Sequence, residues 1–137
     1  MISVEEVMTP NPERADVADS IREVLYKLVE LDIRHLPVVD DGELIGMISD
    51  RDLRGYTMPL ANDIDPVNTS DRRFDAPVST LMNGDVISVT PQTDITEVID
   101  LMIDHKIGAV PVIDGISGVL LGIVSYIDII RNARDVL

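Results

Sequence analysis

The chain of 137 residues contains no cysteine and only two histidines. The absence of cysteine excludes a disulfide framework, a zinc site built from thiolates and a catalytic cysteine. Two imidazoles are too few for a metal site made of histidine alone. These absences remove thiol chemistry, and metal sites built from thiolates or from imidazoles alone, from the functions to be considered.

Basic residues are also scarce, with 11 Lys and Arg against 25 Asp and Glu, so that the formal net charge is −14. Proteins that bind nucleic acid or an anionic membrane need a basic face, and neither partner is expected here. No stretch approaches the ~20 apolar residues of a membrane span. The first residues lack the basic and apolar segments of a signal peptide, so we expect a cytoplasmic protein.

An internal repeat organises the sequence. The hexapeptide His-Leu-Pro-Val-Val-Asp at 35–40 returns as Ala-Val-Pro-Val-Ile-Asp at 109–114, which is 74 positions later. The same spacing, lengthened to 76 towards the end, relates Met8 to Met82, Glu23 to Glu97, Ser49 to Ser125 and Asp52 to Asp128. The sequence therefore predicts two repeats, at 1–55 and 77–137, joined by a connector at 56–76.

Both repeats show the same order of predicted elements. Ser20 and Asp94 are each followed three residues later by Glu, which is typical of a helix start, and apolar residues at helical spacing follow. We predict a strand at 36–39 or 110–113, a return strand at 44–48 or 119–124, and a last helix at 50–54 or 126–134. Gly55 is expected to end the first of these last helices. The connector has no clean period and is expected to be partly mobile.

Several short motifs occur in the same order in both repeats. They are Val7-Met8-Thr9-Pro10 and Leu81-Met82, the segments 36–40 and 110–114, and a pattern of Gly, Ser and Asp at Gly46, Ser49 and Asp52 and again at Gly122, Ser125 and Asp128. Together these motifs resemble a tandem pair of CBS domains, named after cystathionine β-synthase, which form a Bateman module.

The resemblance implies a fold and a role. The fold is a mixed α/β (α+β) arrangement in which each repeat has a small sheet of about three strands and two helices, and pseudo-twofold symmetry relates the repeats. The role is that of a regulatory module, not an enzyme, which binds AMP, ADP, ATP or S-adenosylmethionine in clefts between the repeats. It also implies a homodimer and an effector protein acting in trans. No cofactor and no metal is implied.

The pairs Ser49 with Asp52 and Ser125 with Asp128 have two interpretations. Taken by spacing alone, each is best explained as a capping box at a strand-to-helix junction. The same junction offers unpaired N–H groups to a phosphate and a carboxylate to ribose hydroxyls. The resemblance favours the second interpretation, with Asp52 and Asp128 on the ribose and Ser49 and Ser125 on sugar or phosphate.

The resemblance also implies which segments would surround the adenine. The backbone of Arg34, His35 and Leu36, and of Gly108, Ala109 and Val110, would flank it. Pro37 and Pro111 are expected mainly to fix the entry of each strand. Residues 12–14 and 86–88 would form the opposite wall, because they match the first strand of the family.

The two clefts are predicted to differ in charge. Arg34, His35, Arg51 and Arg54 lie near the first motif, whereas the matching residues in the second repeat are Gly108, Ala109, Ile127 and Ile130. Phosphate needs charged donors, so the first cleft is expected to prefer a phosphorylated nucleotide, and the second a less anionic adenosine compound or none. For any single Arg, a salt bridge on a solvated face is the more common role.

Two other function classes remain to be weighed. A catalytic role lacks a nucleophile with its base, a Gly-rich phosphate loop and a metal constellation, so the chain is not expected to be an enzyme. A scaffold without a ligand, acting through dimerisation on a partner protein, is the alternative to a sensor.

Overall fold

The computed structural model describes residues 1–57 and 71–137, which form two three-stranded sheets with helices packed on them. The chain divides into two compact units, named here after one residue of each. The Asp128 unit comprises Met1–Pro12, Gly42–Leu44 and Ile87–Leu137, and the Asp52 unit comprises Glu13–Asp41 and Ile45–Val86. The predicted fold class, with about three strands in each of two small sheets, is confirmed.

The helices and strands follow the order predicted for each repeat. They are α1 (Val4–Val7), β1 (Thr9–Pro10), β2 (Ala15–Asp16), α2 (Ile21–Glu30), β3 (His35–Asp40), β4 (Glu43–Ser49), α3 (Asp50–Thr57), α4 (Ile95–His105), β5 (Ala109–Ile113), β6 (Leu120–Ser125) and α5 (Tyr126–Val136). Two 3-10 turns, Arg72–Asp75 and Val78–Thr80, precede α4. None of the helices in the described ranges is long and apolar enough to cross a membrane.

The predicted helix starts are confirmed, and each helix buries its apolar face. Ser20 Oγ accepts a hydrogen bond from the N–H of Glu23 at 3.1 Å, and Asp94 Oδ1 accepts one from Thr96 at 3.0 Å. The buried side chains of α2 are Ile21, Val24 and Leu28, and those of α4 are Ile95 and Val98. These residues are about one helical turn apart, so the apolar face predicted from the sequence is the face that packs into the core.

The core of the Asp52 unit contains a residue that the sequence pattern did not identify. Phe74, in the predicted connector, is fully buried, and the ring of Tyr56 meets it edge-on at 5.6 Å between centroids. The hydroxyl of Tyr56 donates to the carbonyl of Arg73 at 2.7 Å. Residues 71–76 are thus part of the core, while residues 58–70 of the predicted connector lie outside the described residues.

The expectation that α3 ends at Gly55 is wrong, because the helix continues to Thr57. Glycine inside a helix costs roughly 0.5–1 kcal/mol relative to alanine. The contacts of Tyr56 with Phe74 and Arg73 lie one residue beyond Gly55 and hold this part of the helix in place. Tertiary packing therefore overrides the local stop signal.

Each sheet receives a segment that precedes the other repeat in the sequence. In the Asp128 unit, β1 pairs antiparallel with β6, with Thr9 opposite Ile123. In the Asp52 unit, Asn83 and Met47 exchange two backbone hydrogen bonds of 2.9 and 3.0 Å. The leading residues of the first repeat thus complete the sheet of the second repeat, and the leading residues of the second complete that of the first.

A methionine from each leading segment packs directly on a glycine of the sheet that it completes. A Cβ atom on Gly122 would lie 2.6 Å from Met8 Sδ and 3.0 Å from the carbonyl oxygen of Thr9. A Cβ on Gly46 would lie 2.5 Å from Met82 Sδ and 3.3 Å from the carbonyl oxygen of Asn83. Gly122 is crowded by backbone as well as by Met8, whereas at Gly46 the closest atom is the sulfur of the Met82 side chain.

We expect Gly122→Ala to lower the free energy of unfolding by about 1–3 kcal/mol, because the added methyl group meets both a side chain and a backbone carbonyl. Gly55→Ala is the matched control. A Cβ there meets nothing within 4 Å, so this helix substitution is expected to raise stability by roughly 0.5–1 kcal/mol. Urea unfolding followed by circular dichroism measures both changes, and a Gly122→Ala midpoint equal to that of the unaltered chain would contradict the packing described here.

Candidate functional site

The first candidate site lies in the Asp52 unit where β4 passes directly into α3. The N–H and the hydroxyl of Ser49 both donate to Asp52 Oδ2 at 3.0 Å, and the N–H of Asp52 donates back to Ser49 Oγ at 3.2 Å. This reciprocal arrangement is a capping box. The structural interpretation made from the spacing is therefore present, and it fixes the position of the carboxylate at the start of the helix.

His35 stands beside this junction at the beginning of β3. The carbonyl of Arg34 accepts a hydrogen bond from the N–H of Asp50 at 2.9 Å, which ties the residue before the strand to the start of α3. Burial lowers the pKa of His35 below its ordinary value of 6.5, while the carboxylates of Asp50 and Asp52 oppose this effect and Arg34 adds to it. The imidazole is therefore mostly neutral at pH 7.

The second candidate site repeats this arrangement in the Asp128 unit, where β6 passes into α5. The N–H and the hydroxyl of Ser125 donate to Asp128 Oδ2 at 2.9 and 3.1 Å, and the N–H of Asp128 donates to Ser125 Oγ at 3.3 Å. The carbonyl of Gly108 accepts a hydrogen bond from the N–H of Tyr126 at 3.0 Å. This bond matches the one from the N–H of Asp50 to the carbonyl of Arg34. The two junctions are thus built in the same way.

Thr9 joins the second site, although the sequence reading used it only as part of a motif. Its hydroxyl donates to Asp128 Oδ1 at 3.2 Å. The pairing of Thr9 with Ile123 brings β1 to this position. The only sequence signal is the spacing of 74 that aligns Thr9 with Asn83, and this spacing gives no indication that Thr9 meets Asp128.

The strand residues predicted to surround a ligand differ in what they expose. Leu36 and Val110 are completely buried, and Pro37, Pro111 and Ala109 are also buried. Their side chains belong to the cores, so these positions could offer a ligand only backbone groups. Arg34 is exposed, and His35 and Gly108 are partly exposed.

The segments 12–14 and 86–88 precede the first strands, which lie slightly later than predicted. β2 is Ala15–Asp16 and runs parallel to β3, with Ala15 opposite Val38. In the other repeat Val89 forms the corresponding parallel bridge with Val112. The strand assignment at 12–14 and 86–88 is wrong because the residues able to bond with β3 and β5 begin at 15 and 89.

A cavity of about 510 Å³ lies between α2 and α3 in the Asp52 unit. Its lining residues are Leu25, Leu28, Val29, Asp32, Ile33, Arg34, Asp50, Leu53 and Arg54. Arg54 Nη2 also donates to Asp50 Oδ2 at 3.4 Å, one turn away. At 100° per residue, positions 50, 53 and 54 share the cavity side of α3, and position 52 lies on the opposite side. Arg54 therefore faces the cavity rather than Asp52.

No group of three His, Asp or Glu side chains within residues 1–57 and 71–137 is placed to hold a metal ion. The chemistry that both junctions offer is hydrogen bonding. Each presents a fixed carboxylate, the N–H of the second helix residue and backbone groups at the start of a strand, whereas the N–H groups of the first and third helix residues already donate within the junction. These groups can hold a neutral or anionic polar molecule.

We expect the stability of the chain to fall more steeply between pH 7.5 and 5.5 than that of the His35→Gln variant. Because the pKa of His35 lies below 6.5 in the folded chain, the unfolded chain takes up this proton first as the pH falls, and that uptake favours unfolding. Urea unfolding at several pH values checks the difference. His105→Gln is the control, and parallel curves for the unaltered chain and His35→Gln would contradict the inference.

Comparison with known proteins covers both repeats. The CBS domain family profile matches residues 4–58 and 78–135. The CBS domain-containing protein YhcV of Bacillus subtilis is 28% identical over 132 residues, which cover 96% of this chain and 86% of YhcV.

Two solved structures share the fold over almost the whole chain. The CBS domain pair of protein MJ0100, in complex with 5′-methylthioadenosine and S-adenosyl-L-methionine, has a TM-score of 0.80 and 25% identity, covering 100% of this chain and 99% of that one. CBSX2 in complex with AMP has a TM-score of 0.84 and 26% identity, covering 99% and 98%. The resemblance seen in the repeated motifs is confirmed, and the chain belongs to the CBS domain family, with two CBS repeats.

Proposed function

We propose that this chain is a regulatory module that binds an adenosine-containing ligand at the Asp52 and Asp128 junctions and catalyses no reaction. One observation carries the proposal: both repeats hold an aspartate in the same hydrogen-bonded position at the start of a helix. CBSX2 with AMP and the MJ0100 pair with 5′-methylthioadenosine and S-adenosyl-L-methionine support the ligand class.

The carboxylates are suited to ribose because the capping box commits only one of their two oxygens. In both capping boxes the serine bonds to Oδ2, which leaves Oδ1 to accept ribose hydroxyls. At Asp128 the hydroxyl of Thr9 already donates to Oδ1, and a carboxylate oxygen has room for a second donor. Hydrogen bonds to a charged acceptor are about twice as strong as neutral ones, which makes these aspartates the main anchors.

The adenine would be recognised through the backbone. Leu36 and Val110 are buried, so the N–H and C=O groups of residues 34–36 and 108–110 are what these segments offer. Backbone groups at the point where a strand begins can read the donor and acceptor pattern of a base without any polar side chain. His35 and Gly108 complete the surface on this side.

Regulation would follow from a population shift. A ligand that binds one arrangement of the chain better than another increases the population of that arrangement, and the shift equals the difference in binding free energy. We propose that a homodimer or an effector protein in trans reads this shift, and that the module works in the cytoplasm.

A scaffold that has no ligand is the second candidate. The observation favouring it is the set of apolar side chains left exposed on helices, including Val29 on α2, Ile103 on α4 and Ile130 on α5, which are 67%, 67% and 58% exposed. Where exposed apolar side chains form one contiguous patch, that patch is typical of a surface covered by another protein. Both candidates involve association, and only the sensor requires a small molecule.

We expect the double variant Asp52→Ala, Asp128→Ala to bind AMP and S-adenosylmethionine at least tenfold more weakly, because each substitution removes hydrogen bonds to a charged acceptor. Isothermal titration calorimetry measures the loss, and Asp100→Ala, an exposed acid on α4, is the control. In the unaltered chain, a ligand at 100 times its dissociation constant should add about 2.7 kcal/mol to the stability. If neither AMP, ADP, ATP nor S-adenosylmethionine shifts the melting temperature, the sensor proposal is wrong.

We expect the chain to sediment at twice its mass of 15.1 kDa and Val29→Lys to sediment as a monomer, because a charge on this exposed apolar side chain would oppose burial in an interface. Analytical ultracentrifugation checks the masses, with Glu30→Lys as the neighbouring control. A monomer at micromolar concentrations of the unaltered chain would contradict both the homodimer and the dimeric scaffold.

A further inference from the structure

The two junctions correspond residue by residue in their backbones. The parallel pairs Ala15 with Val38 and Val89 with Val112 are separated by 74 positions on each side. The hydrogen bond from Asp50 to Arg34 matches the one from Tyr126 to Gly108. Because these bonds fix the register at both strands and at the helix start, side chains at matching positions can be compared directly.

Charge is what differs between the matching positions. Three positions around Asp52 carry Arg34, His35 and Arg51, and the same positions around Asp128 carry Gly108, Ala109 and Ile127. Arg34 and Arg51 thus carry a positive charge near Asp52, where His35 is mostly neutral, and at the matching positions near Asp128 every residue is uncharged.

Arg51 is the cation best placed to meet a ligand at the start of α3. It is exposed in the first turn, between the cavity side of the helix and Asp52. Arg54 is excluded from this role because it lines the cavity and pairs with Asp50. Ile127 holds the position of Arg51 in α5, where it is 40% exposed.

A phosphate group would respond strongly to this difference. The net charge of −14 repels an anion, so a phosphorylated ligand gains affinity only where charged donors are close. At Asp128 the carboxylate is the only charge at the compared positions, and the exposed Ile127 offers contact to an apolar group instead.

We propose that the Asp52 site takes an adenosine ligand that carries a phosphate and that the Asp128 site takes one that carries none, with Arg51 and Ile127 as the residues that determine this specificity. The inference rests on the proposed function and assigns a ligand class to each of its two sites.

The experiment isolates each site and offers it both ligand classes. Asp128→Asn leaves the Asp52 site intact, and Asp52→Asn leaves the Asp128 site intact. Calorimetric titration with AMP and with 5′-methylthioadenosine is expected to give at least tenfold tighter binding of AMP in Asp128→Asn and at least tenfold tighter binding of 5′-methylthioadenosine in Asp52→Asn, since charge-assisted contacts are worth about that factor or more.

Exchange of the two specificity residues provides the matched control. In the Asp128→Asn background, Arg51→Ile should weaken AMP about tenfold and leave 5′-methylthioadenosine within about twofold. In the Asp52→Asn background, Ile127→Arg should strengthen AMP binding. If both ligands bind each site with similar affinity, or with reversed preference, the charge inference is overturned and the proposed function stands. If neither ligand binds any variant, the charge inference is overturned, and the proposed function fails as well if ADP, ATP and S-adenosylmethionine also leave the melting temperature unchanged.

Discussion

The direct passage from a strand into a helix is the constraint on which both candidate sites depend. No loop separates β4 from α3 or β6 from α5, so the last strand residue is also the residue that caps the helix. The serine and the aspartate three residues later must then bond to each other to satisfy the first N–H groups of the helix. The position of each carboxylate is therefore set by the backbone, before any ligand is present.

This dependence makes the two interpretations of the Ser and Asp pairs compatible. A capping role and a ligand role are not exclusive, because the capping box uses one carboxylate oxygen and leaves the other. Capping holds the side chain in one rotamer, so little conformational entropy would remain to be lost when a ligand binds. A residue that starts a helix is for that reason well suited to hold a sugar.

The sequence was sufficient to predict whatever depends on local pattern or on the repeat. The apolar stripe of α2 and the strands containing Pro37 and Pro111 lie where the periodicity placed them, since burial follows directly from the spacing. Phe74 and Gly55 were misjudged for the opposite reason: the burial of one and the helical position of the other depend on Tyr56, and local sequence does not encode that contact.

In the candidate site, too, the residues in repeated motifs could be predicted and those that depend on tertiary contacts could not. Ser49, Asp52, Ser125 and Asp128 could be found because they recur at a fixed spacing, and the structure forms both pairs. Thr9 could not be found, because it is more than a hundred positions from Asp128 in sequence and reaches it through strand pairing. That Arg54 lines the cavity could not be predicted either, because the cavity forms only where α2 packs beside α3.

The pairing of Thr9 with Ile123 has a consequence for the order of folding. A ribosome releases β1 long before it has made β6, so the Asp128 unit cannot close its sheet during most of synthesis. The Asp52 unit, whose segments end at Val86, can assemble earlier. The pairing of β1 with β6 closes a long loop, which raises the contact order and slows the formation of the Asp128 unit. The chain is therefore expected to mature in two stages, with the half containing Asp52 formed first.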